Sequence, residues 1–279
     1  MSERYGLNAG EQAELAEYTV NRFGDCTEIG ESDNGFLKTW ESIIFRSLMT
    51  GAADAINEKV CPSRPVEFRS PEGVGIKMYD SFAGRIPIIY VRDASDFEQL
   101  VTNAAYKGVR PDNIEKTGAS FIHGKTARFI ILSAKPYSNV PASELGLDDE
   151  ADWAEKSMIL RREHECTHYF TKQTYGITNN ILHDEIMADF TGMYEAFGFY
   201  KAEWFLRFMG LIEGSGGRLI YYTCGLSENV CRAVSEIVRE AAFRLEEWSV
   251  TDRFMRLSVP ERIKAMCRAG LVGINRGEL

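Results

Sequence analysis

Apolar residues recur at three-and-four spacing along several stretches of the chain and at every second position along others. Phe36, Trp40, Ile43, Ile44, Leu48 and Ala52 mark a helix over 36–59, with Met49-Thr50-Gly51 placed to kink it. An earlier helix over 11–23 (EQAELAEYTVNRF) begins under an Asn8 cap, and Glu11 completes a capping box. Beyond Cys61-Pro62 the rhythm becomes that of strands. PVEFRS, GVGIKMYD and RIPIIYV fill 65–92, split by Pro71-Glu72-Gly73 and Ala83-Gly84. Asp93 or Ser95 then caps a helix through Lys107 carrying Phe97, Leu100, Val101 and Ala104. Two more strands, ASFIH (119–123) and ARFIILS (127–133), meet at Gly124-Lys125. These segments predict a sheet of about five strands, mostly antiparallel.

After the sheet the pattern is helical. The segment KPYSNVPASELGL, with two prolines, reads as a loop into a helix that starts near Asp148 or Asp152 and runs through Trp153, Met158, Ile159 and Leu160. Gly176 stops that helix, and Asn179 or Asn180 caps the next. Residues 200–213 carry Tyr200, Trp204, Phe205 and Phe208, read as core, and Gly214-Ser215-Gly216-Gly217 reads as a flexible link. A long helix over 227–248 places Val230, Val234, Ile237, Val238, Ala241 and Leu245 on one face, and Pro260 opens a last short helix. Strands followed by helices predict the α+β class. The expected division is a catalytic domain over 1–199, with helices at 10–60, and a helical subdomain over 200–279.

One stretch carries chemistry: His164-Glu165-Cys166-Thr167-His168. Positions four apart on a helix lie one above the other, so the two imidazoles can share one zinc ion. Glu165 then stands beside the metal as a general base for metal-activated water. The next predicted helix carries Glu185 and Asp189, again four apart. A tight loop would bring that helix back antiparallel, making Glu185 a third ligand and leaving one coordination position open. Asp189, one turn on, is placed to accept the spare ring N–H of a ligating histidine. His183 is a rival third ligand. It points about 200° away from Glu185 on a continuous helix, and reads rather as a residue at the site rim or a proton donor. Cys166 lies about 100° or more around the helix from the histidines, a core position.

HECTH followed by EIMAD resembles the gluzincins, thermolysin-like zinc metallopeptidases with HExxH on one helix and ExxxD on the next. The resemblance covers residues 155–195. It implies a zincin-like fold, a small sheet packed on the metal-binding helix with a helical C-terminal lobe. It also implies His164, His168 and Glu185 as ligands of one Zn2+ ion, Glu165 as general base, and Asp189 behind His164. Peptides or amides are the implied substrates, and in such folds an edge strand pairs with an extended substrate. ARFIILS is the expected edge strand. The oxyanion is expected to take a hydrogen bond from Tyr169, Tyr175, Tyr221, Tyr222 or His183, among which the sequence does not choose. Arg161 shares a helix face with His164 and Glu165, where it either pairs with an internal Asp or Glu or binds an anionic group on the leaving side of the substrate. A metzincin is excluded, because Thr171 and Thr174 stand where its Gly and third His belong. Two other readings keep the metal: a small-molecule amide or ester hydrolase of a biosynthetic pathway, and a non-catalytic metal-binding protein.

Composition narrows the class further. The 279 residues are 44% hydrophobic and 26% charged, as in folded globular proteins. A net charge of −9 without a basic block argues against a nucleic-acid partner. No apolar run is long enough for a membrane span, no signal peptide opens the chain, and the six cysteines form no CxxC pair. A cytoplasmic protein is the expectation, and the sequence leaves its oligomeric state open.

Overall fold

The capping signals near the start act as read. Asn8 accepts from the Glu11 main-chain N–H, the Glu11 carboxylate accepts from that of Asn8, and helix α1 spans Ala9–Tyr18. This computed structural model describes all residues except 1, 25, 30–33, 125–127, 179–180 and 213–216. The long helix expected over 36–59 is broken: α2 (Phe36–Thr50) and α3 (Ala52–Lys59) flank Gly51, whose φ of 90° lies in the region glycine tolerates. There follow β1 (Val74–Ser81), β2 (Gly84–Val91), α4 (Ala94–Ala104), β3 (Ala119–His123), β4 (Arg128–Ser133) and α5 (Glu150–Tyr175). The remainder is helical: α6 (Leu182–Phe197), α7 (Ala202–Met209), α8 (Leu219–Tyr222), α9 (Glu228–Ser249), α10 (Asp252–Met255) and α11 (Val259–Arg276). The protein is α+β.

The chain forms two compact units, Gly30–Gln173 and Met1–Ile29 with Thr174–Leu279. The sequence suggests a boundary near residue 200. In the structure the N-terminal helix groups with the C-terminal ones, because α1 packs along α9 and Glu14 accepts from both the main chain and hydroxyl of Ser227.

In the first unit the strand order is β1-β2-β4-β3, with β1/β2 and β3/β4 antiparallel and β2/β4 parallel. The sheet is therefore mixed, and two expectations need correction. ARFIILS is not an edge strand: it lies between β2 and β3, in keeping with its run of buried residues. PVEFRS forms no strand. Its backbone is satisfied by side chains instead, with Val66 N–H bonded to Asn57 and Arg69 and Ser70 N–H bonded to the buried Asp96 carboxylate. That use of polar side chains replaces a strand partner.

Alternation splits β2 and β4 between two apolar layers. Ile89, Val91, Phe129 and Ile131 join Trp40, Ile43, Ile56, Phe97 and Leu100 from α2, α3 and α4. Ile86, Ile88, Ile130 and Leu132 pack against Cys166 and Tyr169 of α5. The sheet thus presses one face of α5, and Cys166 is core as its helical position implies.

The second unit is organised on α9, which touches α1, α7, α10 and α11. Val230, Val234, Ile237, Val238, Ala241 and Leu245, the face read from the sequence, are fully buried. Tyr200, Trp204, Phe205 and Phe208 are core as expected. The last helical segment, Val259–Arg276, starts under a Ser258–Glu261 capping box and is broken at Gly270, whose φ of 67° and ψ of 169° are not helical. The Asn179-Asn180 cap and most of the glycine link lie outside the described residues.

Candidate metal centre

Helix α5 has an unusual burden for a buried element. Seven polar or charged side chains on it are buried: Ser157, Arg161, Glu163, His164, Thr167, His168 and Thr171. Buried polar groups cost stability unless bonded, so their partners define what the helix does. On the sheet side Glu163 accepts from Tyr79 Oη at 2.6 Å and from Arg162 Nε at 2.7 Å, while Arg162 lies 4.2 Å over the Tyr79 ring. Burial and the Glu163 carboxylate push the Tyr79 phenol well up, so it stays a donor. Burial likewise raises the Cys166 thiol, which rules out a thiolate in that core.

The two histidines meet as the i,i+4 spacing dictates. Their rings are nearly perpendicular, and the Nε2 atoms lie 3.1 Å apart, both side chains buried. The other nitrogen of His164, Nδ1, lies 2.9 Å from Tyr137 Oη. Glu165 follows His164 and is half-buried.

Glu185 and Asp189 lie on α6 within the second unit and are buried, Asp189 completely. Helix α8 brings two partners to them. Tyr222 Oη donates to Glu185 Oε2 at 2.8 Å, and Arg218 pairs with Asp189 while its Nη1 lies 3.6 Å from Glu185 Oε2. Burial and the Glu185 charge push the Tyr222 phenol far up, so the hydroxyl holds its proton and orients the carboxylate.

Other residues singled out by the sequence have different surroundings. Tyr169 is buried under the sheet, accepting from Gln173 Nε2 at 2.8 Å. The Tyr175 ring lies tilted 5.8 Å from that of Phe23, with its phenol pushed up to about 12 by burial, and Tyr221 is exposed. His183 is buried and not at a rim. Its Nε2 meets the Met266 carbonyl at 3.1 Å, its ring meets Phe23 edge-on, and burial lowers its pKa, so it is neutral. Arg161 is buried and donates to the carbonyls of Ser133 (2.9 Å), Lys135 (3.0 Å) and Pro136 (3.3 Å). Its guanidinium serves the main chain, a role the sequence reading did not include.

Residues 53–128 and 125–276 match a family of unknown function, DUF7005. The chain belongs to this family. No curated protein and no solved structure matches the chain.

Two side chains of this DUF7005 protein escaped the sequence reading. Tyr137 sits in the loop before α5, where one tyrosine among twelve carries no signal of its own. Arg218 follows the glycine-rich stretch. The only hint was general: a fully buried Asp189 requires a counter-charge.

Proposed function

We propose that the protein is a zinc-dependent hydrolase of peptide or amide bonds, of gluzincin type, with His164, His168 and Glu185 holding one zinc ion. The observation that carries this reading is the 3.1 Å approach of two buried Nε2 atoms. Zinc–nitrogen bonds of about 2.0–2.1 Å at a tetrahedral angle set two such nitrogens about 3.3 Å apart, so the pair suits the ion. A third ligand such as the Glu185 carboxylate would give a His2Glu donor set of the kind found in catalytic sites. A purely structural zinc closes its fourth position with a protein ligand and has no use for a base.

A bound zinc ion supplies a Lewis acid that polarises a carbonyl and makes water nucleophilic near neutral pH. Glu165 accepts the proton that the attacking water releases, then returns it to the leaving nitrogen. Tyr222 holds the Glu185 carboxylate in orientation, and Arg218 balances the Asp189 charge behind it. No described helix is long and apolar enough to cross a membrane. All six cysteines are free thiols, which supports a reducing, cytoplasmic setting.

The reading is tested by screening zinc-loaded protein against peptide and small amide and ester libraries. Hydrolysis should disappear on chelation and return with added zinc. A substrate hydrolysed equally well after chelation would contradict the proposal.

A further inference from the structure

The loop between β4 and α5 contains two consecutive non-glycine residues in the left-handed region, Ser138 (φ 52°, ψ 21°) and Asn139 (φ 56°). Such backbone is unfavourable and persists only where its surroundings hold it. One stripe of α5 does the holding. Trp153 Nε1 donates to Val140 O at 2.8 Å, Ser157 Oγ accepts from Tyr137 N–H at 3.0 Å, and Arg161 donates to Ser133 O and Lys135 O. Positions 153, 157 and 161 are each four apart, and His164 continues the same face. At that end the Tyr137 hydroxyl meets His164 Nδ1 at 2.9 Å, both groups buried.

We propose that Tyr137 is the positioning residue for His164, and that the clamped loop exists to place its hydroxyl. The proposal rests on the reading of His164 as a metal ligand. A ligating imidazole is oriented, and its tautomer fixed, by the bond its second nitrogen makes. With the phenolic oxygen as acceptor, Nδ1 carries the proton and the Nε2 lone pair points towards His168 Nε2. The sequence reading gave this role to the carboxylate of Asp189. A phenol does the same work without a second negative charge on the histidine, so it orients the ring while raising its basicity less.

The test is Tyr137→Phe, which keeps the ring and removes only the hydroxyl. Zinc affinity is measured by competition with a chromophoric chelator, and ring tautomers by long-range 1H–15N correlation on metal-free protein. With four histidines in the chain, each can be assigned by substitution. The wild type should bind zinc and show His164 with its proton on Nδ1. Tyr137→Phe should bind zinc about 10-fold to 100-fold more weakly and show a mixture of tautomers. Wild-type affinity and tautomer in Tyr137→Phe would overturn the proposal while leaving the metal site intact. Failure of the wild type itself to bind zinc would instead sink the metal reading, and this proposal with it. If Tyr137→Phe does not fold, Ser157→Ala frees the Tyr137 main chain and leaves the hydroxyl present. Zinc binding there at wild-type strength would likewise overturn the clamp.

Discussion

Glu165→Gln is expected to keep its zinc and to lower kcat/KM by about 10²-fold or more on any substrate the protein hydrolyses. The amide matches the carboxylate in shape but cannot take a proton from water. Glu165 stands directly after His164 and is only half-buried, so the substitution removes chemistry and leaves packing largely alone. The pairing of two readouts matters. A ligand would be lost together with the metal, whereas a base is lost without it. Turnover close to wild type with zinc bound would end the mechanism proposed for Glu165.

Arg218→Met should destabilise the protein by about 3 kcal/mol, read from denaturant unfolding. Asp189 is fully buried and its carboxylate pairs with Arg218. Removing the guanidinium takes an ion-pair partner from a fully buried carboxylate, a change typically costing about 3–5 kcal/mol for buried pairs. The lower end applies because the Arg218 side chain is 22% exposed and water screens part of the interaction. Neutralising the stranded acid should recover much of the loss, so the double variant Arg218→Met/Asp189→Asn is expected to be more stable than Arg218→Met alone. A loss below about 0.5 kcal/mol in Arg218→Met, within the range of ordinary surface changes, would show that Asp189 draws its compensation from elsewhere.

How far the sequence reached depended on whether a signal was local. Caps are local, and the Asn8–Glu11 box and the Asp93 cap appear where the residue types place them. The i,i+4 pairing of His164 with His168 is also local, fixed by helix geometry alone, and their facing ring nitrogens follow from it. Register and strand order are not local. Nothing within ARFIILS distinguishes an edge from an interior strand, and only its parallel pairing with β2 shows it to be interior. PVEFRS failed for a related reason. Its apolar–polar alternation suits a strand, but the Asn57 and Asp96 side chains took its backbone donors first. Tyr137 was hidden because the loop that presents it departs from ordinary backbone at Ser138 and Asn139, and no propensity scale anticipates left-handed serine. The weak amphipathicity of α5 is legible in its sequence. A helix buried on most sides but rich in polar residues is a helix whose polar groups have work to do.

The central claim is that His164, His168 and Glu185 form one zinc site, and elemental analysis of the purified protein addresses it most directly. Wild-type protein and the variants His164→Ala and Glu185→Ala are exchanged into metal-free buffer after zinc loading, and zinc per chain is measured for each. The account predicts about one zinc ion per wild-type chain, in keeping with a catalytic site of three protein ligands. It predicts clear loss in both variants, with circular dichroism unchanged. Retention of wild-type zinc in both variants, or no zinc in the folded wild type, would contradict it.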